Sequence, residues 1–535
     1  MKGNTTMLFT SSAFLFFLAV LIAVYNLTPR NYRWIILLVG SMTFYGFAGP
    51  HFLLYICATI IVSYFCILRI SRIQEEKNVK LSETDDRELK REIRARATKT
   101  SRRWMIVCLI IVLGILGTVK YTDFVIANTN SILAAFGFQT RFGFMRFALP
   151  MGISFYTFQT VGYVVDIYRE KAAPTRNIFK LALFVSFFPQ VIQGPISRFS
   201  NIGDTLYSGI SITRHSLSRG SMRILWGFFK KLVIADRLWP ALEVLLSRPD
   251  EFQGAFYLFS IGLYALILFC DFTGGIDITI GIAEIFGIRL PENFNRPFYS
   301  RSIQEFWQRW HITMGTWFRD YVFYPISVSK RMLRFSKWSR THLGEGFGKR
   351  LPLHISIICV WFVTGLWHGA TWNFIAWGLA NGIVIILSVE LAPLYQRFHK
   401  FLPGAVDSRV YKCFAIFRTF WLMNVIRSFD IYEGVGFTFS MMGSVFTNFG
   451  ASDFMSRGVS ELTLHTYDYI AAGAGLLVVL WASWLSRDGV DFRDKMATFF
   501  WPIRYAIVGL IIFMVLILGA YGIGYDARQF IYNQF

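Results

Sequence analysis

Two histidines lie in aromatic, glycine-punctuated stretches of a chain that is otherwise strongly apolar. His311 ends the run FWQRWH at positions 306–311, and His368 lies within GLWHGATWN at positions 365–373. Histidine ionises near neutral pH, so its side chain can accept a proton during a reaction and return it afterwards. We therefore take His311 and His368 as the candidate catalytic residues.

The surrounding chain has the composition of a membrane protein. Of its 535 residues, 54% are hydrophobic and 18% are aromatic, and the mean hydropathy is +0.45. Apolar runs of roughly 17–22 residues, which suffice to cross a hydrocarbon core ~30 Å thick, recur from end to end. The sequence predicts an all-α polytopic membrane protein with about eleven transmembrane helices and additional re-entrant or interfacial helices.

The net formal charge of +21 has two explanations. Nucleic-acid binding is one, but no DNA- or RNA-binding motif is present, and we expect no nucleic-acid partner. The other is the accumulation of Lys and Arg in cytoplasmic loops of membrane proteins. The strongest basic connectors are 69–103 and 328–350, with weaker ones at 396–412 and 487–504. Placing all four in the cytoplasm puts 431–467 and both termini outside.

Three charged regions lead to separate expectations. The mixed-charge run 69–103 is predicted to be a cytoplasmic helix or helical hairpin, or else a docking surface for an acyl carrier or regulator. The stretch 216–238 mixes basic and aromatic residues, which is typical of a helix lying at the membrane interface. Acidic residues at 271, 277 and 284 lie within apolar segments, where a carboxylate needs a partner or a wet cavity.

The two histidines also admit structural explanations. A helix over 303–322 would place His311 on one aromatic face, with Trp307, Trp310, Met314, Phe318 and Tyr321. A histidine on such a face is equally well explained as a core residue bonded to a backbone carbonyl. The segment 353–367 follows the basic loop, so a helix there would place His368 ~20–25 Å from the cytoplasmic edge of the bilayer.

Gly365 and Gly369 form a Gly-x-x-x-Gly helix-packing motif around His368, so the histidine could be incidental to packing. Because an intramembrane histidine needs a polar partner or a cavity, we favour a functional role. Other chemistries lack their motifs: the sequence has no Gly-x-Ser-x-Gly elbow, Walker loop or His-Glu-x-x-His. The six cysteines and remaining histidines have no metal-ligand spacing, so we expect no metal site.

Several motifs in order resemble the membrane-bound O-acyltransferase superfamily, in its bacterial alginate O-acetylation branch. They are QGPI at 193–196, DFTGG at 271–275, PENF at 291–294, FWQRWHIT at 306–313, WFRDY at 317–321, GLWHG at 365–369, and the C-terminal GYDA at 524–527 and FIY at 530–532. One departure is the sequence after Pro325, where Ile-Ser-Val replaces the Leu-Gly-Gly turn common in the branch. The branch that transfers D-alanine to teichoic acid, which has a similar histidine pair, is therefore the alternative.

The resemblance implies a funnel-shaped helical fold with a tunnel through a bacterial plasma membrane. A cytoplasmic acyl donor, either acetyl-CoA or an acyl carrier thioester, would enter from one side without any tightly bound cofactor. A polysaccharide hydroxyl, with an extracytoplasmic acetyltransferase partner, would be the acceptor outside. By the same resemblance, His368 acts as general base and His311 positions the donor or polarises its carbonyl. The expected substrate-binding residues are Trp367, Asn373, Trp310, Arg319, Asp320, Gln193 and Asn293.

The same motifs suggest three parts: N-terminal helices over 1–148, a catalytic core over 149–391 and C-terminal helices over 392–535. Two further function classes compete with an enzyme. A polysaccharide or lipid transporter would line its path with intramembrane His, Asp and Glu, but the chain has no evident internal repeat. A catalytically inactive scaffold in a secretion complex would have no need for both histidines.

Overall fold

The structure, a computed structural model, describes residues 7–487, 489 and 491–521. These residues form helices joined by loops and contain no β-strand, apart from an isolated antiparallel bridge between Phe294 and Trp310. The all-α prediction is therefore confirmed. The C-terminal motif at 524–532 lies outside the described residues.

Long apolar helices confirm the polytopic membrane class. Within the described part of the chain, seven helical segments are long and apolar enough to cross a bilayer: Phe52–Ser82, Arg87–Ala135, Ala255–Ile285, Lys330–His368, Trp372–Glu390, Thr466–Leu485 and Trp501–Leu518. The apolar helices Ser12–Leu27 and Val435–Thr447 are shorter. The expected total of about eleven spans stays a prediction.

Contacts divide the described chain into two units, and the three-part division suggested by the motifs stays a prediction. The first unit comprises 7–221 and 279–291. Its helices are α1 (Ser12–Leu27), α2 (Arg33–Ala48), α3 (Phe52–Ser82), α4 (Arg87–Ala135), α5 (Ile153–Tyr168), α6 (Ile178–Ser186), α7 (Phe188–Gln193), α8 (Phe199–Tyr207) and the start of α9 (Arg214–Phe228). Because α3 and α4 are joined by a short turn at 83–86, the helical hairpin expected within 69–103 is confirmed.

The second unit comprises 222–278 and 292–521, and it contains both candidate catalytic histidines. Its first helices are α10 (Asp236–Ser247), α11 (Ala255–Ile285), α12 (Ile303–Arg309), α13 (Ile312–Phe318), α14 (Tyr324–Ser327), α15 (Lys330–Leu343), α16 (Lys349–His368) and α17 (Trp372–Glu390). They are followed by α18 (Ala392–Phe401), α19 (Pro403–Asp407), α20 (Arg409–Arg427), α21 (Val435–Thr447), α22 (Ala451–Arg457), α23 (Thr466–Leu485), α24 (Phe492–Ala497) and α25 (Trp501–Leu518). The last residues of α11 belong to the first unit.

Shorter helical turns connect these elements. The 3₁₀ turns are Arg30–Tyr32, Pro297–Tyr299, Ser428–Asp430 and Gly458–Glu461, and the π-helical turns are Phe229–Ala235, Arg319–Phe323 and Gly344–Gly348. The first π-turn continues α9 into α10. A π-turn adds a residue to a helical turn and often occurs at functional sites, because it changes which side chains face inward.

The basic side chains at the centre of the stretch 216–238 do not face headgroups, so that part of the interfacial-helix prediction is wrong. Arg223, Lys230 and Lys231 are buried rather than directed at lipid headgroups. Lys230 Nζ lies 2.6 Å from Asp277 Oδ2, and Arg223 Nε lies 2.9 Å from Asp277 Oδ1. A buried charge must be paired, and the acidic residues of α11 supply the partners.

The neighbouring lysine has its own acidic partners. Lys231 Nζ lies 2.5 Å from Asp271 Oδ1 and 2.8 Å from Asp236 Oδ1. In a regular strand or helix, consecutive side chains point in different directions. The π-turn allows the two consecutive lysines both to face protein. The expectation that Asp271 and Asp277 have partners is thereby confirmed.

Two glycines bring α9 close enough to α11 for these pairs to form. A Cβ atom on Gly227 would lie 2.5 Å from the carbonyl oxygen of Gly274 and 2.6 Å from Ile278 Cγ1. Such distances are well inside van der Waals contact, so the helix backbones touch directly here. Small residues at a helix crossing permit this approach.

We expect Gly227→Ala to destabilise the protein by about 1–3 kcal/mol, because the added methyl group overpacks the crossing and stretches the ion pairs. Thermal unfolding of the detergent-solubilised protein measures the change. Gly443→Ala is the matched control, since a Cβ atom there meets nothing within 4 Å. Equal melting temperatures for the two variants would show that the crossing does not need glycine.

Candidate active site

His311 lies at a break between two short helices, so the continuous helix expected over 303–322 is wrong. α12 ends at Arg309 and α13 begins at Ile312, while His311 has a left-handed backbone with φ of 47°. The segment pairs with residues before α12: Ile312 N donates to Asn293 O at 3.0 Å, and Asn295 N donates to Arg309 O at 2.9 Å. These bonds compete successfully with the helical hydrogen bonds that 303–322 would otherwise form.

Asn293 holds His311 in place. Its side-chain oxygen accepts hydrogen bonds from Thr313 N at 3.0 Å and Thr313 Oγ1 at 2.9 Å, and it lies 3.3 Å from His311 Nδ1. An amide oxygen accepts hydrogen bonds, so this contact favours the tautomer of His311 that carries its proton on Nδ1. Asn293 thus helps to orient a fully buried histidine.

His368 is the last residue of α16 and lies in an aromatic cage. Its ring centroid is 4.9 Å from that of Trp367, 4.6 Å from that of Trp377 and 6.2 Å from that of Phe374. The following residue, Gly369, is extended and ends the helix. The ring therefore lies at a helix end, where the chain can turn away and leave space beside it.

Close packing between α16 and α17 builds this cage. A Cβ atom on Gly365 would clash with the carbonyl oxygen of Phe374, and one on Gly378 would clash with that of Trp361. The packing explanation of the glycines is thus correct for Gly365. Packing does not compete with a role for His368, because the same contact brings Trp377 against the histidine ring.

Trp367 lies close to both histidines. Its ring centroid is 6.1 Å from that of His311 and 4.9 Å from that of His368. Trp310 is buried as well and lines a small cavity with His368. The structure therefore brings together the candidate residues His311, His368, Trp310, Trp367 and Asn293.

The other expected substrate-binding residues make different contacts. Asn373 Nδ2 donates to the backbone oxygen of Tyr432 at 2.6 Å, which ties the start of α17 to the segment after α20. Arg319 pairs with the adjacent Asp320 at 2.9 Å, and its side chain is 54% exposed. Gln193 is buried in the first unit.

Arg427 and Asp430 were not among the expected site residues, yet both line the small cavity beside His368. The cavity has room for a single water-sized group, and its other walls include Phe374, Trp377 and Trp310. A signal was present in the sequence: both charged residues end the apolar segment 411–430. A charge inside such a segment is a functional candidate by default.

A second, larger cavity is lined in part by residues next to His311 and Asn293. Its volume is about 480 Å³, within the range of ligand sites, and Ile312, Phe294 and Asn295 contribute to its wall. The cavity also reaches the loop before α24, where Asp491 and Arg493 line it. Burial would raise the pKa of Asp491, but hydrogen bonds from Arg493 outweigh it and hold that pKa below its usual value.

Comparison with known proteins decides the family. Residues 168–423 match the model of the MBOAT, membrane-bound O-acyltransferase family. A probable alginate O-acetylase, AlgI, of Azotobacter vinelandii is 33% identical over 392 residues, which cover 72% of this chain and 70% of the relative. The chain belongs to the membrane-bound O-acyltransferase family. It is an O-acyltransferase, a multi-pass protein of the bacterial inner membrane.

More distant members of the family carry other names. The peptidoglycan O-acetyltransferase of Helicobacter pylori is 28% identical over 475 residues, covering 83% of this acyltransferase and 81% of the relative. The teichoic acid D-alanyltransferase of Bacillus subtilis is 28% identical over 271 residues, covering 48% of this chain and 62% of the relative. The resemblance inferred from the motifs, including its alginate O-acetylation-like branch, is confirmed.

The arrangement at the candidate site could support proton transfer. His368 is surrounded by aromatic rings, and the buried Arg427 lines the same small cavity. A histidine can take the proton of an attacking hydroxyl group, while a cation stabilises developing negative charge. Among the described residues, no group of three or more His, Cys, Asp or Glu side chains could hold a metal ion.

We expect Asn293→Leu to reduce acyl transfer about 10- to 100-fold, by analogy with metal-bound histidines that lose an orienting partner. Asn293→Asp keeps the accepting oxygen and should retain more activity. The readout is the acyl content of surface polymer at matched membrane abundance. Full acylation by Asn293→Leu would show that His311 needs no such anchor.

Proposed function

We propose that this acyltransferase moves an acetyl group from a cytoplasmic thioester to a hydroxyl group of a cell-surface polysaccharide. The donor is acetyl-CoA or an acyl carrier thioester, and no tightly bound cofactor is needed. Two relatives are named as a probable alginate O-acetylase and a peptidoglycan O-acetyltransferase, and these names support a glycan acceptor. The observation that carries the proposal is His368, held in an aromatic cage at the end of α16 beside a small cavity.

His368 serves as the general base. One ring nitrogen removes the proton of the acceptor hydroxyl as its oxygen attacks the thioester carbonyl carbon. The new C–O bond forms, the C–S bond breaks, and the departing thiolate takes the proton from the imidazolium. Proton transfer by a positioned side chain of this kind typically contributes ~10²–10⁴-fold to the rate.

His311 positions the donor rather than exchanging the proton. Asn293 contacts its Nδ1 atom, and Trp367 lies close both to its ring and to that of His368. The aromatic walls formed by Trp310, Trp367 and Trp377 keep bulk water from the reactive acyl group, which limits hydrolysis. Roles for Asn373, Arg319, Asp320 and Gln193 in binding substrate remain predictions.

The proposed setting has two sides. The acyl donor or its carrier approaches from the cytoplasm and enters the tunnel expected for the family. Membrane lipids surround the protein. On the outer side, an extracytoplasmic acetyltransferase partner receives the acetyl group or presents the polymer. The second candidate is D-alanyl transfer to teichoic acid, favoured by the similarity to the Bacillus subtilis relative.

His368→Ala should give a protein of near-normal abundance, no acylation of surface polymer and unchanged polymer export. His368→Gln should be equally inactive, because glutamine forms hydrogen bonds but is not a base near neutral pH. His311→Ala should impair acylation less completely, since water can partly replace a positioning group. Mass analysis of the surface polymer measures the acyl groups and identifies them as acetyl or D-alanyl.

Matched variants separate the alternatives. His354→Gln changes another buried histidine of α16, which lies near Glu390, and should leave acylation intact at equal abundance. Normal acylation by both His368 variants would exclude His368 as the base. Loss of the polymer itself, rather than of its acyl groups, would indicate a transporter.

A further inference from the structure

Arg427 is a buried cation held by aromatic rings beside the proposed base. It ends α20 and is 4% exposed. Its guanidinium carbon lies 4.1 Å from the ring centroid of Trp310 and 5.7 Å from that of Phe306. Bringing an arginine out of water is costly, so a residue in this position has to be compensated by its surroundings.

The surroundings supply only part of that compensation. Cation–π contact with Trp310 compensates the charge but does not by itself satisfy the guanidinium N–H groups as hydrogen-bond donors. Among the described residues, Arg427 Nε has no hydrogen-bond partner although it is buried. The carbonyl end of α20 favours a cation at this position, and Asp430, which lines the same cavity, interacts electrostatically with Arg427.

The lining and size of the cavity indicate what the N–H groups of Arg427 could bind. Arg427 lines it together with His368, Trp310, Phe374, Trp377 and Asp430. Its free volume admits one water-sized group and no more. An acyl carbonyl oxygen has that size, and its carbon would then lie between the arginine and the histidine.

We infer that Arg427 is a catalytic residue that donates hydrogen bonds to the acyl carbonyl oxygen of the donor. The inference rests on the proposed function and deepens it. As His368 takes the hydroxyl proton, the attacking oxygen bonds to the carbonyl carbon and the carbonyl oxygen gains the electron pair. Arg427 stabilises this oxyanion until the C–S bond breaks and the thiolate accepts the proton from His368. Removing one donor of this kind typically costs ~10²–10³ in kcat.

Three variants of the full-length protein test the inference. Arg427→Met keeps the apolar volume against Trp310 and Phe306 but has no N–H group. Arg427→Lys keeps the charge but loses the planar fork. Arg418→Lys is the matched control on the same helix, where the arginine donates to the backbone oxygen of Arg301 at 2.9 Å.

The primary readout is the initial rate at which radiolabelled acetate enters surface polymer in cells, divided by membrane abundance of the protein. We expect a ~10²–10³-fold fall for Arg427→Met, a smaller fall for Arg427→Lys, and no change for Arg418→Lys. In membrane vesicles supplied with labelled acetyl-CoA, the loss should appear in kcat with KM for acetyl-CoA unchanged. That split is the signature of an interaction made only in the transition state.

Every outcome bears on the inference. Full activity of Arg427→Met, with His368→Ala inactive, would overturn the role of Arg427 and leave the proposed function standing. Full activity of both variants would overturn both. If neither Arg427 variant accumulates while Arg418→Lys does, the arginine is structural and the inference is wrong. A loss confined to KM would make Arg427 a binding residue for the donor and would also contradict the inference.

Discussion

Charged and polar groups in an apolar interior need partners, because no water is there to solvate them. This constraint organises the second unit. Asp277 lies between Arg223 and Lys230, and Lys231 lies between two carboxylates. The pairs with Asp271 and Asp277 lie beside the place where α9 and α11 touch through Gly227 and Gly274. Breaking a buried pair typically costs about 3–5 kcal/mol, so the glycine crossing and the charges depend on each other.

The same constraint explains the backbone at His311. A histidine on an unbroken helix would face the interior with its ring nitrogens to satisfy. Instead, the chain leaves the helix, adopts a left-handed conformation and bonds to Asn293. The strained residue is held by backbone bonds on both sides, as is common where a side chain has to be aimed. Trp310 is carried by the same break and supplies the surface on which Arg427 stacks.

The sequence predicted what depends on local pattern. Apolar length indicated the membrane class, and the histidines stood out because an apolar segment rarely contains them. The predictions from sequence failed for residues whose contact partners are distant in the chain. The basic residues in 216–238 were predicted to face the membrane interface, because their acidic partner Asp277 lies 54 residues from Arg223 in the chain. The break at His311 depends on Asn293, 18 residues away. The position of Arg427 in the site follows from its contact with Trp310, which is also distant in the chain.

The central claim is that acyl transfer from one face of the membrane to the other depends on His368. Sealed vesicles test this claim most directly. Inside-out vesicles enclose surface polysaccharide, with any extracytoplasmic partner, and receive labelled acetyl-CoA outside, on the cytoplasmic face. We expect label on the enclosed polysaccharide with the wild-type protein and none with His368→Ala. Label confined to polysaccharide added outside, or equal labelling of the enclosed polymer by His368→Ala, would contradict the claim.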